Sequence, residues 1–212
     1  MRLKRLIILC FTLSSASMLF ADDFVYDNLK YATNSDNSVT LVDGKGANGD
    51  VIIPSDVHYK NKVYVVTAIE HNAFEGNNAI TAVTIPSSVS TIGYSAFNSC
   101  KSLRRVMDAS RVTEMQGFEY TDCTSLTSVT LSGTLQKIGY RSFAGTALTR
   151  LVLPESVKEI GGEAFQDCLQ LTNVEFNKGI QNIKDHAFKN SGLASLELPE
   201  GIKEVGEWSF EG

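Results

Sequence analysis

The sequence predicts a solenoid: stacked repeats with a parallel β-sheet on one face, short helical turns and loops opposite, and a small N-terminal β cap. Three observations carry that prediction. An apolar residue recurs at Ile69, Ile92, Met115, Ile138, Ile160, Ile183 and Val205, at spacings of 23, 23, 23, 22, 23 and 22 residues. An aromatic follows each by five positions, at Phe74, Phe97, Tyr120, Phe143, Phe165, Phe188 and Phe210. After the aromatic comes L-x-x-V-x-I/L, as in Leu148-Thr-Arg-Leu151-Val-Leu153. One such unit cannot bury its own apolar residues, so its neighbours must cover it.

Each part of the unit has its own reason. The end of L-x-x-V-x-I/L alternates inward apolar with outward polar residues, the period of a strand, and equivalent strands should pair in parallel. Gly93, Gly139, Gly161 and Gly206 stand one residue after the isoleucine position, where a tight turn with positive φ is expected. The G-x-x-A-F stretch that follows is too short for a full helix and reads as a single helical turn. A small residue precedes the aromatic in six of seven units, Glu119 being the exception. Each 22-residue step has lost a residue between aromatic and leucine, as in Phe143-Ala-Gly-Thr-Ala-Leu148, so the deletion falls in a loop.

One unit breaks the pattern. Asp108 fills the slot of Ile85, Leu131 and Leu153, Gln116 replaces the glycine, and Glu119 the small residue. Rule-breaking of this kind marks functional, strained or merely irregular sites. The expectation is a bulge at Val106-Met107-Asp108 that turns Asp108 outward, onto a ridge with Arg104 and Arg105.

The flanks read differently. Residues 1–21 resemble a secretory signal, with Arg2, Lys4 and Arg5 before an apolar stretch, Leu6 to Leu13, and small residues up to Ala21. Cleavage is placed after Ala21, with Ala16 as the alternative. Leu9 before Cys10 argues against lipidation, and the apolar stretch is far short of the ~20 residues that span a bilayer. Residues 22–66 form the cap, with apolar runs at Val39–Val42, Val51–Ile53 and Val63–Val66. Gly44-Lys-Gly46-Ala-Asn-Gly49 is read as a hairpin between two of them. Residues 67–212 are the repeats, about six plus an incomplete last one. Ending at Gly212 leaves that last unit without its leucine and strand, so the expectation is a truncated sequence or a half-repeat packed on another chain.

These repeats are similar to the BspA-like leucine-rich repeat family. The resemblance rests on Thr91-Ile-Gly-Tyr-Ser-Ala-Phe97-Asn-Ser-Cys-Lys-Ser-Leu103 and on Leu151-Val-Leu-Pro-Glu-Ser-Val157-Lys-Glu-Ile160, and it covers about residues 67–212. It implies a secreted or surface-displayed bacterial protein that binds other proteins, commonly as an adhesin.

Chemistry is sparse. Without the three leader cations, 16 lysines and arginines face 24 acids, a net of −8, which disfavours nucleic acid and anionic membranes as partners. There is no G-x-S-x-G, H-E-x-x-H or phosphate loop. His71 and His186 lie five repeats apart, about 24 Å, too far to share a metal. The expectation is therefore no enzyme, cofactor or metal. Cys100, Cys123 and Cys168 share a register with Asn77, Thr146 and Ser191, which suits a buried small polar ladder of free thiols. A Cys100–Cys123 disulfide stays possible, because adjacent coils bring equivalent Cα atoms to about 5 Å.

The candidate binding face is the outward side of the strands: Arg105, Met107, Ser128, Thr130, Arg150, Val152, Asn173 and Glu175. Its partner would be a protein, of an extracellular matrix or another cell surface, and its centre Arg105 and Arg150, which would select an acidic segment. Glu114, Lys137 and Glu159 should form a charge ladder in another register. Two other readings stand beside this one. The chain could be a spacer within a larger surface protein. It could also be a carbohydrate-binding module using Tyr94, Tyr140 and Trp208, although these are read as not forming one platform.

Overall fold

The computed structural model describes residues 22–212; the expected signal segment, 1–21, lies outside the described residues. The cap region opens with β1 (Asp23–Tyr26), β2 (Leu29–Thr33), β3 (Ser38–Asp43), β4 (Gly49–Ile52), β5 (Asp56–Tyr59) and β6 (Lys62–Ile69). The repeats supply β7 (Ile80–Ile85), β8 (Thr91–Ile92), β9 (Arg105–Asp108), β10 (Ser128–Thr130), β11 (Lys137–Ile138), β12 (Arg150–Val152), β13 (Glu159–Ile160), β14 (Asn173–Glu175), β15 (Asn182–Ile183) and β16 (Glu204–Val205). They form a β-solenoid with two ladders of parallel strands. A long-strand ladder runs β4-β7-β9-β10 and resumes as β12-β14. A short-strand ladder runs β3-β6-β8 and resumes as β11-β13-β15-β16, with four residue pairs between β3 and β6 and two at each later step.

The side opposite the long strands therefore carries a second, short parallel ladder and turns, not helical turns. No helix occurs among the described residues, and accordingly none is long and apolar enough to cross a membrane. The reason lies in two left-handed residues per coil. The third position after the isoleucine holds Asn72, Ser95, Phe118, Arg141, Glu163, His186 and Trp208, all with φ between 52° and 60°. The seventh holds Gly76, Ser99, Asp122, Gly145, Asp167 and Asn190. Each reverses the backbone after one tight turn. Alternate amides then bond outward to the next coil, as Phe97 N–H does to Glu119 O and Phe143 N–H to Ala164 O, both at 2.9 Å. A helix would have kept those bonds to itself.

The repeat glycines are not where the positive φ lies. Gly93, Gly139, Gly161 and Gly206 are needed for close approach: a Cβ on Gly139 would stand 2.3 Å from Met115 O, and one on Gly93 2.4 Å from His71 N. The expectation of a glycine turn is thus corrected. Coils stacked about 4.8 Å apart leave no room for a Cβ at these four glycines, whereas Glu70, Gln116 and Lys184 hold the same place in the other coils.

The core is a column of rings. Phe74, Phe97, Tyr120, Phe143, Phe165, Phe188 and Phe210 stack with centroids 4.8, 5.4, 5.2, 5.3, 5.1 and 5.4 Å apart and interplanar angles of at most 15°. The isoleucine and leucine registers are buried beside them, up to Ile183 and Leu171. In the last coil Val205 and Leu198 are exposed and Leu193 and Leu196 half-buried.

Residues 38–52 already belong to the stack. Val51 of β4 pairs with Val83 of β7, and Leu41 of β3 with Ile69 of β6. Gly44–Gly49 is accordingly not a hairpin. It carries the chain from one ladder to the other, and Gly44 makes room for Phe74, whose ring would lie 2.1 Å from a Cβ there. Beyond this coil, β1, β2 and β5 close the end with Phe24 stacked on Tyr59 at 4.1 Å and on the buried Tyr31 at 5.7 Å.

Both ladders are interrupted, the long one at the shortened loops. The long ladder breaks between β10 and β12, after the loop Phe143–Leu148 that is one residue short. It ends after β14, where the second short loop, Phe188–Leu193, leaves Ser195 and Glu197 outside any strand. The short ladder breaks between β8 and Glu114; from there a single bridge, Glu114 to Lys137, leads into β11.

Candidate functional site

All eight candidate residues of the strand face are exposed. They form rows across the ladder: Asp50, Ala82, Arg105 and Ser128 in one register, Ile52, Thr84, Met107 and Thr130 in the next. Arg150 and Val152 pair with Asn173 and Glu175 on β14. Three large apolar side chains stand out of the Ser/Thr background: Ile52 at 72% exposure, Met107 at 50% and Val152 at 52%. Ile52 comes from the cap region and was not foreseen; the match of Val51-Ile-Ile-Pro54 to Val83-Thr-Ile-Pro86 is the signal that could have found it.

The arginines are not bare. Arg105 lies 3.7 Å from Asp50, and Arg150 is hydrogen-bonded to Glu175. Because each has a carboxylate neighbour, the middle of the face is close to neutral rather than basic. These pairs are solvated and contribute under ~1 kcal/mol each.

Asp108 does not bulge outward. It stays in register with Ile85, half-buried, and its carboxylate accepts from Ser110 N–H at 2.8 Å. The ridge expected with Arg104 and Arg105 is absent because an Asx turn holds the carboxylate inward. Burial raises its pKa, against the opposing pull of Ser110.

Glu119 is 1% exposed, and its two oxygens accept from Gly117 N–H at 2.8 Å and Ser142 Oγ at 2.9 Å. This carboxylate closes on an amide of its own coil, Gly117, and ties that coil to the next through Ser142. Burial raises the Glu119 pKa above its usual value, more than the hydrogen bonds lower it. Folding therefore favours the protonated form, and stability falls as pH rises from the ordinary carboxylate range through the raised folded value. Glu119→Gln keeps an acceptor for Gly117 and a donor for the Ser142 hydroxyl. Its melting temperature should match the parent's in acid and exceed it at neutral pH. Thermal melts at pH 4 and pH 7.5 check this, and a gap that closes toward neutral pH would refute the burial account.

The thiols behave as a buried ladder. Cys100, Cys123 and Cys168 are free, fully buried, and donate to the carbonyls of Phe74, Phe97 and Phe143, each at 3.1 Å. Asn77 does the same work more fully, donating to Gly44 O and Ala47 O at 2.9 Å. Burial pushes the Cys123 and Cys168 thiols up in pKa, which makes them poor nucleophiles. His71 Nδ1 accepts from Tyr94 N–H, and His186 packs on Trp208. Among the described residues no three His, Cys, Asp or Glu side chains come together as metal ligands.

Tyr94, Tyr140 and Trp208 do not form one platform, but Tyr94 and Tyr140 share a surface. Phe118 stands between them, with centroids 5.0 Å from Tyr94 and 5.4 Å from Tyr140. Trp208 lies three coils beyond. Sequence reading missed Phe118 because it sits one position later in its unit than the two tyrosines do in theirs. Beside Tyr140 a cleft of about 250 Å³ opens over the short strands. The expected charge ladder is present there, with Lys137 Nζ 2.9 Å from Glu114 and 3.7 Å from Glu159.

Comparison with known proteins bears on the repeats. The family model for BspA-type leucine-rich repeat regions matches residues 57–171 and 138–212, in six copies. A leucine-rich cell-surface protein from Faecalibacterium prausnitzii superposes with a TM-score of 0.78 at 24% identity, covering 89% of this chain and 52% of that one. The leucine-rich repeat protein of T. pallidum gives 0.73 at 29% identity, over 88% of this chain and 86% of its own. One from Bacteroides ovatus gives 0.61 at 25% identity, over 87% and 61%. The chain thus spans about half the length of the F. prausnitzii protein. Comparison with curated proteins gives no match.

Proposed function

Because this chain belongs to the BspA-type leucine-rich repeat family, a repeat scaffold suited to protein interaction, we propose that its strand face binds a protein ligand and that it acts as an exported, surface-displayed adhesive module. The observation that supports this most is the exposed apolar row Ile52, Met107 and Val152 on a face otherwise made of Ser, Thr and ion pairs. Large apolar side chains are not needed to keep a strand soluble, and methionine is enriched in interfaces. Arg105 and Arg150 flank this row. An acidic group of the partner would have to replace Asp50 or Glu175, so the apolar row supplies the affinity and the arginines the orientation.

The reading is tested by measuring association with matrix and cell-surface proteins by biolayer interferometry. The expected result is a binder whose affinity falls at least about tenfold in Met107→Asp/Val152→Asp. Reversal of charge in Arg105→Glu/Arg150→Glu should weaken it less and change its salt dependence. A binder indifferent to both double variants would remove the strand face from consideration. Export rests on residues 1–21 and is checked separately by fractionating cells that express the chain with and without them.

A further inference from the structure

We propose that the aromatic strip Tyr94, Phe118 and Tyr140, together with the cleft beside it, is a second binding site, and that it takes an uncharged saccharide chain. This goes beyond the strand face and does not depend on it.

The strip is costly to the fold in two ways. Phe118 has φ of 60°, in the left-handed slot filled in the other coils by Asn72, Ser95, Arg141, Glu163, His186 and Trp208, where any non-glycine backbone is strained. Tyr94 and Tyr140 leave 42% and 45% of their surface in solvent. Neither local preference nor packing asks for three rings here, and the same coil holds the break in the short ladder. Departures from the local rules gather where a protein works.

The rings are also held in place. The Tyr140 hydroxyl donates to Glu163 Oε1 at 2.6 Å, Glu163 is paired with Arg141, and the Arg141 guanidinium lies 5.9 Å over the Phe118 ring. A fixed platform binds without an ordering penalty. Gly117 and Gly162 lie against it, so no side chain from either crowds the rings.

The chemistry of the cleft selects the ligand. It is lined by Glu114, Gln116, Lys137, Tyr140, Glu159 and Lys184. Two carboxylates balance two ammonium groups, so an anionic or cationic ligand gains nothing overall. A sugar ring presents an apolar C–H face to an aromatic and hydroxyls at its edge, which the carboxylates, ammonium groups and Gln116 amide can bond. An extended peptide would need a free strand edge for its amides. Here β11 is bridged to Glu114 on one side and paired with β13 on the other.

The test is an array of neutral oligomers of glucose, galactose, mannose and N-acetylglucosamine, followed by titration of the retained oligomer. Phe118→Asn and Tyr140→Ala should each bind about tenfold more weakly or worse. Asparagine suits the left-handed slot, so Phe118→Asn should melt no lower than the parent, and its loss of binding is not unfolding. Trp208→Ala and Met107→Asp/Val152→Asp should bind the oligomer as the parent does, which separates this site from the strand face. The proposal is overturned if no neutral oligomer is retained at millimolar concentration. It is overturned equally if Phe118→Asn and Tyr140→Ala bind undiminished, or if the strip takes a proline-rich peptide instead.

Discussion

Phe143→Ala is expected to lower the free energy of unfolding by about 3–5 kcal/mol. Phe143 is fully buried and stacks on both sides, 5.2 Å from Tyr120 and 5.3 Å from Phe165. Its removal leaves a cavity and breaks two stacking contacts, each contributing about 0.5–1.5 kcal/mol beyond burial. Coils touch only their neighbours, so a gap in the middle weakens the coupling between the two halves of the stack. Urea denaturation should show a lower midpoint and a broader transition. Phe210→Ala is the comparison, because Phe210 is half-buried and has a single stacking partner, Phe188 at 5.4 Å. Equal losses in the two variants would mean that the ring column is not what holds the coils together.

Gly139→Ala should be nearly as damaging, by about 3 kcal/mol or more, although it adds one methyl group and removes nothing. The new Cβ would meet Met115 O at 2.3 Å and Gly117 N at 2.8 Å. Both are backbone atoms of the preceding coil, which cannot rotate away as a side chain would. Relief requires two coils to separate and the ring column to open with them. Gly133→Ala is the control, since nothing lies within 4 Å of a Cβ there. Differential scanning calorimetry of the pair reads the result. Melting temperatures that agree would show that this glycine serves some purpose other than close approach.

The period was legible because burial in a solenoid is local arithmetic. Every coil turns the same positions inward, so Ile138, Phe143 and Leu148 announce themselves by recurrence, as do the thiols and the Glu114, Lys137 and Glu159 ladder. The outward strand positions followed from the two-residue alternation, and Arg105, Met107, Arg150 and Val152 are exposed as that alternation requires. What these positions bind is another matter, since exposure is a property of the backbone and recognition a property of the partner.

Other features depended on how one coil meets the next. The glycine corner is indistinguishable in sequence from a turn glycine, because both exclude a Cβ; only the 2.3 Å approach of Met115 O tells which exclusion applies at Gly139. The left-handed residues after it are Phe, Arg, Glu, His and Trp as often as Asn, and no residue preference betrays them. Hydrogen bonds to the neighbouring coil impose that backbone and rule out a helical turn. Phe118 joined Tyr94 and Tyr140 for the same reason, its side chain displaced by one residue in sequence yet adjacent in space. By itself the sequence determined the repeat, its ring column and which strand residues face out. Tertiary structure alone decided where the ladders break, which arginines are neutralised and which aromatics meet, because each is set by contacts between coils more than twenty residues apart.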